Sequence, residues 1–135
     1  MLESQIRPNK VIDEMVLSAF ANIPREIFVH KSMQDIAYLD EDLPLSNGRY
    51  LMEPMVLARL IQSLQLSASD NVMIIGIGTG YSVAIISQIV TSVIGIESRA
   101  TLIQKAENNL TELDITNAVL FKERLQDGFS KEAPY

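Results

Sequence analysis

Five consecutive residues, Gly76-Ile77-Gly78-Thr79-Gly80, have types and spacing that could serve a chemical purpose. Glycine at alternate positions lets the chain turn sharply and lets a ligand approach the backbone closely. The apolar run Val72-Met73-Ile74-Ile75 stops just before this loop, and a helical pattern opens at Tyr81. The loop would therefore join the C-terminal end of a strand to the N-terminus of a helix, where free N–H groups and a positive dipole end are on offer. Glu97 closes the next apolar run, twenty-one residues after Gly76. That spacing sets a carboxylate beside the loop, able to accept hydrogen bonds from ribose hydroxyls. Loop, strand, helix and spaced acid together predict nucleoside binding. The plainer alternative is a tight strand-to-helix turn with a solvated acid nearby.

Other chemistries have little to draw on. The 135 residues include no cysteine and one histidine, His30, so thiolate metal sites and cysteine nucleophiles find no material, and other metal sites or a Ser-His-Asp triad very little. His30 follows Val29 and reads as a surface or packing residue; Asp40, Glu41 and Asp42 read as a solvated acidic loop without cation-ligand spacing. Seventeen acids against eleven bases give a net charge of −6, which argues against nucleic acid as a partner. No apolar run reaches the ~20 residues of a membrane helix, and MLESQIRPNK places charge where a signal peptide needs an apolar stretch. The expectation is a cytoplasmic domain with no membrane partner. Met15, Met33, Met52, Met55 and Met73 are scattered and read as core or gap filling.

The elements that must position the loop fall into an α/β pattern. Residues 1–66 read as an N-terminal helical and substrate-loop region, and residues 67–135 as a partial Rossmann-like region, both in one structural domain. Val11, Ile12, Met15, Val16, Ala19 and Phe20 have helical spacing, and Asn22-Ile23-Pro24 ends that helix. Val29 to Tyr50 reads mainly as loop. Pro54 suits the first position of a second helix with Val56, Leu57, Leu60, Ile61 and Leu64 as its buried stripe. Then come a strand at Val72–Ile75 buried on both faces, a helix from Tyr81 to about Ile89, a strand at Val93–Ile96 and a helix capped by Ser98. That last helix should bury Leu102, Ile103, Ala106, Leu110 and Leu113, and Ala118–Phe121 make a third strand. The βαβαβ order predicts a parallel sheet with right-handed crossovers, half of a doubly wound fold cut short after its third strand. Its first strand is then an open apolar edge, suited to pairing with another chain.

The loop reads G-x-G-x-G, not the G-x-G-x-x-G of dinucleotide sites, and so resembles class I S-adenosylmethionine-dependent methyltransferases. The resemblance sharpens to the protein-L-isoaspartate O-methyltransferases. Gln5-Ile6-Arg7, Asp13, Val16-Leu17 and Pro24-Arg25-Glu26-Ile27-Phe28-Val29 are similar to that family's N-terminal helical region. Ala37-Tyr38, Asp40 and Leu43-Pro44-Leu45 resemble its loop leading to the active site, and Gly48 and Pro54 its substrate-facing segment. Ile75 through Tyr81 resemble the cofactor loop, and Ala133-Pro134-Tyr135 the residues before a fourth strand. The match runs the length of the chain, but only over the family's N-terminal portion.

The resemblance implies S-adenosylmethionine as cofactor, held by Gly76, Ile77, Gly78, Gly80, Tyr81 and Glu97. It implies methyl transfer to the α-carboxyl of isoaspartyl residues in damaged proteins, with Arg49, Tyr50, Met52, Glu53 and Pro54 as the substrate-loop candidates and no metal. Three positions depart from the family. Met52 stands where a serine would contact the substrate carboxylate, and Ile74 where the first strand carries an acid. Glu123-Arg124-Leu125 stand in place of a G-D-G-like segment, for which Asp127-Gly128 could substitute. These departures keep two alternatives open: a catalytically inactive domain that self-associates through its sheet edge or joins a partner, and methyl transfer to some other acceptor.

Overall fold

The computed structural model describes residues 14–29, 43–44, 50–52 and 54–125, with the backbone path alone for residues 43, 44, 50, 54 and 55. Helix α1, Glu14–Asn22, buries Val16, Leu17, Ala19 and Phe20. The chain passes Pro24 into one 3-10 turn, Arg25–Phe28. Strands β1, Leu43–Pro44, and β2, Tyr50–Leu51, pair antiparallel, with Leu43 opposite Leu51 and Pro44 opposite Tyr50. Helix α2, Pro54–Ser63, packs against α1. Proline fits its first position because its missing N–H would have no helical partner there.

The second part alternates as the pattern predicts: β3 Asn71–Ile75, α3 Tyr81–Ser87, β4 Ser92–Glu97, α4 Ala100–Glu112 and β5 Ala118–Lys122. The sheet order is β3-β4-β5 and both pairings are parallel. Its register sets Ile74 beside Gly95 and Gly95 beside Leu120, so the three strands end level at the edge that carries the glycine loop. Val72, Ile74, Val93, Ala118 and Leu120 pack into one core with α1, α2, α3 and α4, through Phe20, Ile61, Ile85 and Ala106.

Several expectations are corrected by packing. Leu60 and Leu64 are 50% and 60% exposed, and Ala58 joins Leu57 and Ile61 in the contact with the core. A stripe narrower than the apolar pattern suffices because α2 meets its neighbours along one side. Met15 and Met52 are also exposed, at 43% and 39%, so neither fills a gap; Met33 and the Met55 side chain lie outside the described residues. Strand β3 is only partly buried, with Ile75 47% exposed, because no strand pairs with its outer edge among the described residues. Helix α3 stops at Ser87, two residues early, where the Gln88 and Ile89 N–H groups bond three residues back to Ile85 and Ile86. The β1–β2 pairing falls inside the stretch read as loop; two residues a side, one of them proline, are too few to show a period. His30, Asp40, Glu41 and Asp42 lie outside the described residues.

Candidate functional site: a glycine loop tied to a buried glutamate

The loop between β3 and α3 turns through three left-handed residues: Gly76, Gly78 and Gly80 have φ of 77°, 59° and 96°. Residues with a Cβ pay steric strain in that region, which explains the alternate glycines. The Gly76 and Ile77 N–H groups both donate to the Ile96 carbonyl, at 2.8 and 3.4 Å, hanging the loop on the end of β4. Glu97, the next residue, is fully buried. Its Oε1 accepts the Gly78 N–H at 3.0 Å. Its Oε2 accepts the Ser98 and Arg99 N–H groups at 2.9 and 3.1 Å.

Glu97 therefore does work that the spacing assigned elsewhere. Arg99, not the expected Ser98, occupies the cap position of α4, and it makes no side-chain cap bond. The carboxylate of Glu97 satisfies the amides leading into that helix, where a negative charge is favoured by the helix dipole. Glu123 at the end of β5 adds its own N–H to the Glu97 carbonyl at 3.2 Å, bringing the variant of the G-D-G-like segment to the same edge. Asp127 and Gly128 lie outside the described residues.

The loop's exit is held from two sides. The Thr79 hydroxyl donates to the Phe28 carbonyl at 2.6 Å, and Asn109 Nδ2 donates to the Thr79 carbonyl at 3.0 Å. Helix α4 comes so close that a Cβ on Gly80 would sit 3.2 Å from the Ala106 Cβ. Tyr81 is fully buried, its ring edge-on to Phe20 at 6.2 Å and to Phe28 at 5.2 Å, with the Arg25 guanidinium carbon 5.0 Å from its centre. Ile77 is buried and packs beside Gly95. The structure thus gathers Gly76, Ile77, Gly78, Gly80, Tyr81 and Glu97 at one sheet edge. Ile74, where the resemblance expects an acid, instead packs against the apolar core.

The substrate-loop candidates are described in part. Tyr50 lies in β2 and Pro54 opens α2, so this segment links the hairpin to the second helix. Met52 turns its side chain outward while its carbonyl accepts a hydrogen bond from Arg25 Nη2 at 2.9 Å. Arg49 and Glu53 lie outside the described residues. The roles of Arg25, Thr79 and Asn109 were not legible from spacing. Arginine, threonine and asparagine read as surface residues in any periodic pattern, and their bonds here span 27, 51 and 30 positions.

The family model for protein-L-isoaspartate(D-aspartate) O-methyltransferase matches residues 1–135. Protein-L-isoaspartate O-methyltransferase 2 of Pelobacter propionicus is 35% identical over 135 residues, which are 100% of this chain and 60% of that protein. The protein-L-isoaspartate O-methyltransferase of Petrotoga mobilis is 37% identical over 132 residues, 98% of this chain and 62% of its own length. The chain thus spans about 60% of the length of the curated relatives it matches. A solved protein-L-isoaspartate O-methyltransferase superposes with a TM-score of 0.85 at 27% identity, over 96% of this chain and 43% of that one. A Plasmodium falciparum structure described as a complex of such an enzyme with S-adenosyl-L-homocysteine shares the fold, with a TM-score of 0.68 at 21% identity over 87% of this chain and 59% of its own. By its match from end to end, the chain belongs to the protein-L-isoaspartate(D-aspartate) O-methyltransferase family.

Proposed function

We propose that this chain is the donor-holding portion of an S-adenosylmethionine-dependent methyltransferase that esterifies the α-carboxyl of isoaspartyl residues in damaged proteins or peptides, in the cytoplasm. One observation carries the reading: a glycine loop with three left-handed residues is bonded at Gly78 to the buried carboxylate of Glu97. The residues present fit the donor. Gly76, Gly78 and Gly80 would hold it against bare backbone, on a path that needs glycine at each position. Glu97 is proposed to serve twice, fixing Gly78 and meeting ribose hydroxyls, on its place at the end of the strand next to the loop.

When bound, S-adenosylmethionine supplies an activated methyl group on a sulfonium. The chain's own task is then alignment. The loop fixes one reactant because β4 and α4 grip it on both sides. The segment from Tyr50 through Met52 to Pro54 brings the acceptor, with Arg49 suited to pair with a carboxylate. Met52 has no hydroxyl to donate, so orientation of the substrate carboxylate falls to other groups of this segment.

Incubation of the chain with radiolabelled S-adenosylmethionine and matched isoaspartyl and aspartyl peptides tests the proposal. Base-labile label on the isoaspartyl peptide alone is expected. Label on neither peptide, from a chain that still binds the donor, would remove the acceptor assignment.

A second reading is favoured by the open edge of β3, where Ile75 is 47% exposed and no outer strand is paired among the described residues. On it, the chain acts by self-association through that edge. Sedimentation at increasing concentration decides it: a monomer throughout contradicts this reading.

A further inference from the structure

Arg25 and Glu97 are the charged side chains buried among the described residues. The glycine loop accounts for Glu97; Arg25 lies on a different element, the Arg25–Phe28 turn. That turn makes contacts in two directions. Toward the acceptor side, Arg25 Nη2 holds the Met52 carbonyl at 2.9 Å. Toward the donor side, the Arg25 guanidinium lies over the Tyr81 ring, the Phe28 ring meets Tyr81 edge-on, and the Phe28 carbonyl receives the Thr79 hydroxyl. Thr79 and Tyr81 flank Gly80, so Arg25 and Phe28 between them grip the exit of the loop and the end of β2. A charged donor on a part-buried carbonyl and a desolvated cation over a ring are both stronger than their exposed counterparts. Among the described residues, β2 pairs with β1 at two positions, Tyr50 and Leu51, and Met52 follows them directly.

We infer that the Arg25–Phe28 turn is a clamp, and Arg25 a positioning residue, coupling the acceptor-side segment at Met52 to the exit of the glycine loop. The inference rests on the proposed function for what each segment binds, and on the geometry alone for the coupling. A ligand that orders the loop holds Tyr81, hence Arg25, hence Met52; the same free energy works in the reverse direction.

Hydrogen exchange of the chain, free and with S-adenosylhomocysteine, tests this with Arg25→Met and Arg25→Lys. Without ligand, Arg25→Met exchanges about tenfold faster or more over residues 50–52 and 79–82, while 92–97 and 118–122 keep their protection. Arg25→Lys keeps the charge and one donor without the planar fork, and restores part of the protection at 50–52. With ligand, the unchanged chain slows at both 76–82 and 50–52, and Arg25→Met slows at 76–82 only. Unchanged exchange at 50–52 in Arg25→Met overturns the clamp, and so does equal loosening of the whole sheet in both variants. If ligand slows nothing in the unchanged chain, the donor reading fails, and the ligand-free comparison still decides the clamp.

Discussion

Glu97 carries three backbone amides on one buried carboxylate, and its replacement separates two roles. Glu97→Gln keeps the shape but turns an acceptor into an amide that faces N–H groups. A loss of about 1–3 kcal/mol in urea unfolding is expected, against under about 0.5 for the exposed Glu107→Gln. Affinity for S-adenosylhomocysteine should fall further than that destabilisation explains if Glu97 also meets the ribose; an unchanged dissociation constant would confine it to the loop. Gly80 is constrained twice, by a φ of 96° and by the nearby Ala106 Cβ. Gly80→Ala should therefore cost about 2 kcal/mol or more, read from the same unfolding curves. On the acceptor side, Met52→Ser should raise methyl transfer to an isoaspartyl peptide while leaving donor affinity unchanged, since the Met52 side chain is exposed and only its carbonyl is held by Arg25. No gain in transfer would show that the hydroxyl is not what this segment needs.

At the scale of elements, the alternation after Ser67 was legible because buried parallel strands leave short branched runs and amphipathic helices leave a stripe. The boundaries differ by a residue or two; α4 buries Leu102, Ala106 and Leu110, while Ile103 and Leu113, expected in the same stripe, are half-buried. Hidden from the sequence were the joints, since they are bonds between distant polar residues. Asn117 shows the type: its Nδ2 donates to the Ser87, Val90 and Thr91 carbonyls at 2.9, 3.2 and 3.3 Å, tying the end of α3 to the start of β5. Asn117→Ala strands those carbonyls and should lower stability by about 1–3 kcal/mol, visible as a lower urea midpoint with an unchanged slope. The closeness of the glycine loop and Glu97 was legible because topology brings a loop after one strand beside an acid at the next strand's end. The Arg25 clamp was not, because a buried arginine looks like any surface arginine until the fold closes around it.

At the scale of the molecule, the three parallel strands among the described residues present the loop at one edge, with α1 packed against α2 and α3 and meeting Tyr81 through Phe20. The chain covers about 60% of its relatives' length, and the loop, Glu97 and the Arg25–Phe28 turn to which the proposed donor site is assigned all lie inside it. On the proposed reading, this unit holds S-adenosylmethionine by itself. A thermal melt of the chain at increasing S-adenosylhomocysteine tests it most directly. A ligand that binds the native state alone must raise the midpoint with concentration, by ~2.7 kcal/mol of stability at a hundredfold excess over its dissociation constant. The account predicts a cooperative melt whose midpoint climbs in this way. A cooperative melt that stays fixed across the whole titration would contradict it.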